Sequence, residues 1–447
     1  MIAEFTVENF LSIKSAQKIS FEPTPDTTLS EQYTYEVKPG VRLLKIGIVY
    51  GANASGKTNI LNAIEFFKML VLKQPNDRNT KTGTVPFLLN DTSKNETTKM
   101  SMAFYIDQTK YILSFELDET HIHSESLIVY DSNRPTKLYS RSYNQETDST
   151  IIDFGANLKL PKKDQNTISG NTTNNCSVLA AFGKSNVEKT KLNDVYDYFT
   201  KQVKDVLEPG MLLSGYVKQH LENDKNGGLK RFILKFLKAS DFNIEDFNLE
   251  DYDTLIAPEF EQMILHAPMD ENDKKQLLKR GYFTNTELIF IHNIKGNQYR
   301  LSEDYESTGT IRFLGIAVIL YFLLKKNQFV AIDEVEASIH YELLAYFIKV
   351  FLANSDHTAQ MLLTTHDINL LNEDFIRRDT IWFTDKDELG ETKIVRLSSL
   401  GLHKNLSPYH AYRQNKLVKL PFLGSLYFDL NDENHETEIA SMSKMQS

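Results

Sequence analysis

The sequence predicts an α/β fold, a mixed β-sheet with an antiparallel β subdomain, interrupted by a helical insertion. Three observations predict it. Apolar strand-like runs alternate with helix-like spacing within residues 43–72 and again within 307–364, which is typical of a parallel sheet. Residues 100–153 hold three successive strand-like runs, as in an antiparallel meander. Between about Val187 and Phe283, apolar residues recur at helical three- and four-residue steps.

We therefore expect four parts of the chain. Residues 1–185 form a first lobe, which opens with a hairpin of two strands in residues 1–22 and a loop over residues 23–40. Residues 186–285 form the helical insertion, preceded by a soft loop over 156–177. Residues 286–430 form a second lobe. The polar tail, 431–447, is expected to be disordered.

Composition narrows the class of protein. A chain of 447 residues with 41% hydrophobic and 25% charged residues is typical of a soluble globular protein. A net charge of −10 argues against a protein that binds nucleic acid through its overall charge. A local basic patch that binds nucleic acid is not excluded. Cys176 is the single cysteine, so neither a disulfide framework nor a cysteine metal site is expected, which favours a cytoplasmic location.

A membrane partner is not expected. The N-terminus lacks the basic start and long apolar stretch of a signal peptide. The longest apolar run, Phe313 to Leu324, is shorter than the roughly 20 residues of a membrane-spanning helix. We interpret this run as a buried core helix.

A glycine-rich motif gives the strongest functional indication. Residues 51–58 read GANASGKT, directly after an apolar strand-like run and before a periodic helix. In the pattern G-x-x-x-x-G-K-[ST], the glycines let backbone N–H groups converge on phosphates at a helix N-terminus. Lys57 would reach the β- and γ-phosphates, and the Thr58 hydroxyl would contact Mg²⁺. The predicted phosphate-binding residues are Gly51, Ala52, Asn53, Ala54, Ser55, Gly56, Lys57, Thr58 and Asn59.

Two acids at the end of a later strand supply the second part of the predicted site. Phe329 to Glu334 is an apolar run that ends in Asp333 and Glu334. We expect this strand to lie beside the strand of the glycine-rich motif, with its carboxyl end facing the phosphates. Asp333 would hold Mg²⁺, and Glu334 would orient and deprotonate the attacking water. Alone, the pattern also fits a strand that runs into a solvated acidic turn.

Two further segments end or begin at the same predicted edge. The run Gln360–Thr365 is followed by His366, which would contact the γ-phosphate beside the other motifs; alone, such a histidine is more often a capping or structural residue. Ser307 and Gly309 precede a long apolar helix, whose N-terminus is an anion site by the dipole argument. Read alone, that segment is a helix N-cap.

The ordered set GANASGKT, ESTGT, FVAIDE, EASIH and TTHD resembles an ABC-type ATPase head of the SMC-like kind. It is most similar to the small bacterial ATPases of the overcoming-lysogenization (OLD) and abortive-infection group, which includes the RloA-like proteins. The opening segment Val7–Ile13 also resembles the start of those heads. The resemblance covers about residues 1–155 and 285–400.

The resemblance implies how two copies would assemble. In this family Ser307 and Gly309 form a signature motif that acts in trans on the ATP of a second subunit. Residues Glu336–His340 match the D-loop along that interface. A homodimer around two ATP molecules is therefore expected, with Mg²⁺ as the metal and a higher oligomer left open. The signature reads Ser-Thr-Gly-Thr instead of Ser-Gly-Gly-Gln, and no glutamine is assigned to the metal.

The leading interpretation is a cytoplasmic ATPase, with Lys57, Glu334 and His366 as catalytic residues, in a bacterial anti-phage or abortive-infection system. The chain leaves no room after His366 for a Toprim nuclease domain, so a separate effector (nuclease, Toprim or toxin) is the expected partner. The alternative is an SMC-like DNA-repair or DNA-clamp ATPase that binds duplex DNA. A third interpretation, a scaffold that binds ATP but barely hydrolyses it, is disfavoured by Glu334. Candidate DNA contacts on the insertion are Lys201, Lys204, Lys218, Lys230, Arg231, Lys235 and Lys238.

Overall fold

The computed structural model describes residues 1–132, 134–211, 213–355, 358–401 and 406–417. The tail predicted to be disordered, 431–447, and the end of the second predicted lobe lie outside the described residues. The predicted division into lobes stays a prediction, but the architecture is the predicted α/β one.

The strands are numbered in chain order: β1 (Ile2–Glu8), β2 (Gln17–Ser20), β3 (Thr34–Lys38), β4 (Val41–Leu44), β5 (Ile46–Gly51), β6 (Thr98–Ile106), β7 (Thr109–Leu117), β8 (Ile122–Tyr130), β9 (Thr136–Asn144), β10 (Ser149–Phe154), β11 (Asp246–Leu255), β12 (Tyr282–Ile294), β13 (Asn297–Ser302), β14 (Phe329–Ile332), β15 (Gln360–Thr365), β16 (Ile381–Lys386) and β17 (Thr392–Arg396).

The α-helices are α1 (Ser30–Tyr33), α2 (Lys57–Leu72), α3 (Lys162–Asn171), α4 (Val178–Gly183), α5 (Lys191–Asp197), α6 (Leu213–Glu222), α7 (Gly228–Ala239), α8 (Pro258–His266), α9 (Glu271–Arg280), α10 (Thr308–Lys326), α11 (Tyr341–Asn354) and α12 (Pro408–Arg413). The segment predicted as a soft loop, 156–177, contains α3, and the predicted loop 23–40 contains α1 and β3.

The antiparallel subdomain is a seven-stranded sheet in the order β10-β9-β8-β7-β6-β1-β2. The predicted N-terminal hairpin is confirmed, since β1 pairs antiparallel with β2, and so is the meander, since β6 to β10 pair in sequence. Helix α2 packs on this sheet: the Phe67 ring lies 5.7 Å from Phe5 and 5.2 Å from Phe115, centroid to centroid. These contacts join the helix of the glycine-rich motif to the apolar core.

The second sheet has the order β14-β15-β5-β16-β17, with β14, β15, β5 and β16 parallel and β17 antiparallel. The expectation that β14 lies beside β5 is wrong. Strand β15 lies between them, pairing Leu362 with Ala331 of β14 and with Gly47 of β5. The hydrophobic run of β15 is buried throughout, which suits a central parallel strand. The carboxyl ends of all three strands still meet at one edge.

The insertion differs from the helical expectation in one long segment. Helices α5, α6, α7, α8 and α9 occur there, but residues Asp246–Leu255 form β11, which pairs antiparallel with β12 along its full length. Phe247 is the buried residue of this strand, and its second half is exposed. With so few apolar residues on its inner face, the strand gives little period-two signal. Together β11, β12 and β13 make a separate three-stranded sheet.

Helix α10 contains the predicted core run Phe313–Leu324. Among the described residues, it is the one helix long and apolar enough to cross a membrane, with a mean hydropathy of 1.6 over its most apolar window. Of that window, 61% is buried inside the protein, and Phe313, Leu314 and Leu320 are fully enclosed. The helix serves as a core element, as predicted.

Candidate functional site

The glycine-rich loop runs from the end of β5 to the first residue of α2. Gly56 caps that helix with a φ of 102°, a left-handed conformation that favours glycine. A Cβ on Gly56 would lie 2.1 Å from the Thr392 hydroxyl oxygen, so the position has no room for a side chain. The loop therefore wraps tightly against β17, and the helix N-terminus points into the turn.

Lys57 is the first residue of α2 and its side chain folds back over the loop. The ammonium donates to the carbonyl oxygens of Gly51 at 3.0 Å and Ala52 at 3.1 Å. Burial lowers the pKa of Lys57, while the carboxylates of Glu334, Asp333 and Glu336 oppose that shift. The lysine is thus a desolvated cation facing acids, and such a cation interacts strongly with an anion.

Thr58 and Asp333 meet at the carboxyl edge of the second sheet, 275 positions apart in sequence. The Thr58 hydroxyl donates to Asp333 Oδ2 at 2.7 Å, and the Thr364 hydroxyl donates to Oδ1 at 2.5 Å. Asp333 is 3% exposed, and its backbone N–H donates to the carbonyl of Leu207 at 2.8 Å. A buried carboxylate is therefore fixed beside the start of α2 by its neighbours on both sides.

Glu334 follows in a left-handed conformation, with a φ of 43°, which turns its side chain away from β14. Its N–H donates to the Thr364 hydroxyl at 2.8 Å. Its carboxylate lies 3.3 Å from His366 Nε2, and the backbone N–H of His366 donates to Glu336 Oε1 at 2.5 Å. The ends of β14 and β15 thus hold the predicted base and the predicted γ-phosphate contact side by side.

These segments enclose a cavity of about 270 Å³. Lys57, Thr58, Glu334 and His366 all line it. The full lining is Asn53, Ala54, Gly56, Lys57, Thr58, Asn59, Glu334, His366 and Lys386. Of the other predicted residues, Gly51, Ala52 and Asp333 lie behind this lining and accept hydrogen bonds from Lys57 or Thr58. Ser55 also lies behind it, and its carbonyl accepts a hydrogen bond from the Thr392 hydroxyl. Their roles toward a nucleotide and a metal stay predictions.

Lys386 was missed by the sequence reasoning. It ends β16, which pairs parallel with β5 on the side opposite β15. The available signal was a cation at the carboxyl end of a fourth apolar run, Ile381–Lys386, which parallel pairing brings to the same edge. Thr364 was also not singled out, although its hydroxyl contacts both Asp333 and Glu334.

Ser307 and Gly309 do not line this cavity. Ser307 caps α10, because its hydroxyl accepts a hydrogen bond from the N–H of Thr310 at 3.0 Å. The alternative that this segment is a helix N-cap is therefore confirmed. A Cβ on Gly309 would lie 2.6 Å from the carbonyl oxygen of Ser338. The start of α10 therefore packs directly on the backbone of the segment Glu336–His340, which resembles a D-loop. The predicted trans contact of Ser307 and Gly309 stays a prediction.

The candidate DNA-binding lysines of the insertion are partly neutralised. Ion pairs join Lys201 to Asp197, Lys218 to Glu303 and Lys230 to Asp246, at 2.7–2.8 Å. Carboxylates beside these cations reduce the positive potential that a phosphate backbone requires. The described contacts therefore give the DNA-clamp alternative no added support.

A protein-family profile described as "AAA domain, putative AbiEii toxin, Type IV TA system" matches residues 47–372, a span that includes every segment around the cavity except β16 and β17. No curated protein matches the chain.

Several solved structures are similar at low identity. The SMC head domain from Thermotoga maritima is 12% identical, with a TM-score of 0.39, covering 88% of this chain and 98% of that one. The SmcHead bound to the C-terminal winged-helix domain of ScpA is 13% identical, with a TM-score of 0.39, covering 92% and 99%. The Smc head with an extended coiled coil, bound to the C-terminal domain of ScpA from Pyrococcus furiosus, is 12% identical, with a TM-score of 0.42, covering 92% and 98%.

The family match spans well over half of the 447 residues and contains the loop, Asp333, Glu334 and His366. The glycine-rich loop of residues 51–58 is thus the phosphate-binding loop (P-loop) of an ATPase-type domain, and the chain belongs to this AAA-domain family.

Proposed function

We propose that the protein binds ATP with Mg²⁺ and hydrolyses it. The hydrogen bond between Thr58 and Asp333 carries this proposal, because it joins the phosphate loop to the strand-end acids. Around it, Lys57 supplies positive charge for the phosphates. Glu334 would take the proton of the attacking water, and His366, beside it, would contact the γ-phosphate.

The donors at this point fit Mg²⁺. A hydroxyl and a carboxylate oxygen lie 2.7 Å apart, both hard oxygen ligands, and burial of Asp333 without a cation is costly. Among the described residues, no group of three or more His, Cys, Asp or Glu is placed to hold a metal ion by itself, so phosphate oxygens and water would complete the coordination. The metal would neutralise charge that develops on the transferred phosphoryl group. The chain's own part is to fix Thr58 and Asp333 in place.

Removing either metal-site oxygen should make hydrolysis demand more Mg²⁺. For Thr58→Ala and Asp333→Asn, we expect the Mg²⁺ concentration at half-maximal rate to rise on the order of ten-fold or more. Phosphate release measured across a Mg²⁺ titration checks this, with Thr92→Ala, an exposed threonine outside the site, as the control. An unchanged Mg²⁺ dependence in both variants would contradict the assignment.

We further propose that two copies enclose two ATP molecules, with Ser307 and Gly309 of each copy facing the ATP of the other. ATP would favour the closed dimer only by binding it better than the open state, and hydrolysis would reopen it. Support comes from the resemblance of ESTGT to a signature motif and from the packing of Gly309 on Ser338, which joins the two predicted interface segments.

Two substitutions separate capping from a trans contact. Asparagine and aspartate cap helices about as well as serine, so Ser307→Asn and Ser307→Asp should keep the thermal stability. The added negative charge of Ser307→Asp should repel a γ-phosphate, so ATP-dependent dimerisation should be lost in that variant and largely kept in Ser307→Asn. Light scattering with ATP in the Glu334→Gln background measures this. Equal dimerisation of the two variants would argue against the trans role.

Beyond the chemistry, we propose a cytoplasmic role as the ATPase and sensor of a bacterial anti-phage or abortive-infection system with a separate effector. The resemblance to the OLD and abortive-infection group supports this, as does the family description, which names an AbiEii toxin. The effector could take the form of a nuclease, a Toprim protein or a toxin. A neighbouring gene of such a kind, whose activity depends on this protein, is the observation to seek.

A further inference from the structure

Helix α8, at the end of the β11–β12 hairpin, has an apolar side that its own chain leaves uncovered. None of its nine residues is buried by the part of the chain that the structure describes. Phe260 and Met263 share this side, about one helical turn apart, and are 53% and 66% exposed. Leu265 lies on another side of the helix at 48%, and Leu255 and Met269, just outside the helix, are 81% and 44% exposed. A helix this short is marginal in water without packing, and clustered exposed apolar side chains indicate an interface.

The neighbouring helix α9 carries the opposite charge. Glu259 and Glu261 give α8 a net charge of −2. On α9, four basic residues and two acidic ones give +2; these are Lys274, Lys275, Lys279, Arg280, Glu271 and Asp273. The Lys274 ammonium donates to the carbonyl of Leu265 at 3.0 Å, so it ties the two helices into one unit. We call α8 and α9 together the tip helices.

We propose that the tip helices bind the tip helices of a second copy of this chain, with α8 of each copy against α9 of the other. A two-fold interface uses the same patch on both copies, so it must be complementary to itself. An acidic apolar helix beside a basic one meets that requirement, because rotation by two-fold symmetry brings unlike charges together twice. The exposed apolar residues of α8 would form its centre and the charges its rim.

This interface is distinct from the ATP-dependent one proposed above and does not require it. The tip helices lie outside the phosphate cavity, so they should associate without nucleotide. A chain with two different two-fold interfaces can build assemblies larger than a dimer. Association would then hold copies together while ATP opens and closes the heads.

A charge-exchange experiment tests the pairing. Glu259→Lys with Glu261→Lys changes α8 to +2, and Lys275→Glu with Lys279→Glu changes α9 to −2. The experiment is done without nucleotide and with a metal chelator. Analytical ultracentrifugation should show that the unchanged chain self-associates at protein concentrations on the order of 100 μM or below. Each double variant should associate at least ten-fold more weakly, and an equimolar mixture of the two should recover. A mixture that stays monomeric would overturn the proposal.

A second pair of variants controls for misfolding and for general surface stickiness. Phe260 and Ile151 are both 53% exposed, on α8 and on β10 respectively. Phe260→Asp should abolish nucleotide-free association, whereas Ile151→Asp should leave it intact. Both variants should keep ATP binding, since neither residue contacts the phosphate cavity. If the unchanged chain itself did not bind ATP, that result would count against the proposed function and not against the tip pairing. An unchanged chain that is monomeric throughout would refute the tip pairing whatever its ATPase does.

Discussion

Lys57→Ala is expected to cause a severe loss of ATP affinity. The variant removes a buried cation that faces the predicted phosphates, and truncating one partner of a buried charge pair costs about 2–5 kcal/mol. That corresponds to a loss of affinity on the order of 30-fold to several thousand-fold. Calorimetric titration with ATP and Mg²⁺ measures it directly.

The matched control is Lys73→Ala, an exposed lysine just past the other end of α2. It removes one positive charge next to the same helix, at the end away from the cavity. A folded Lys57→Ala protein with unchanged ATP affinity would remove the phosphate-loop assignment. The same variant tests the defence role in cells: protection against phage should disappear with Lys57→Ala and persist with Lys73→Ala.

Glu334→Gln is expected to keep ATP and lose turnover. The amide occupies the same space beside His366 but accepts no proton from water, and the loss of a general base typically costs 10²–10⁴-fold in rate. Because Lys57, Thr58 and Asp333 stay in place, ATP affinity should persist. Because the bound ATP is not cleaved, the closed dimer should accumulate, which light scattering detects. The rate of phosphate release in a single turnover should fall.

Glu342→Gln provides the comparison, an exposed acid in the first turn of α11 a few residues further on. It should hydrolyse ATP at the normal rate and form no lasting dimer. If Glu334→Gln also hydrolysed ATP normally, Glu334 could not be the base.

The sequence predicted the phosphate loop because its information is local. Residues 51–59 sit contiguously between an apolar strand and a periodic helix, so backbone geometry and spacing suffice. The meeting of Thr58 and Asp333 was predictable from one rule, that parallel strands bring their carboxyl ends to one edge. The position of β14 was not, because strand order depends on tertiary pairing.

Other features depended on contacts that leave little trace in the chain. β11 has few apolar residues and is held by pairing with β12, so no periodicity marked it. Lys386 enters the cavity only because β16 lies beside β5. The packing of Gly309 on Ser338 depends on a close approach of two backbones. In each case a distant partner, and not the local pattern, determined the outcome.

The central place of β15 limits how this molecule can respond to a ligand. The strand is bonded on both sides, to β14 and to β5, so sliding it would break two ladders at once. A response is therefore confined to what extends past Thr365: the imidazole of His366, the loop after it, and the carboxylates of Glu334 and Glu336 that contact it. The sheet would therefore stay fixed, and a change in nucleotide occupancy would be transmitted by rotations of a few side chains at its carboxyl edge.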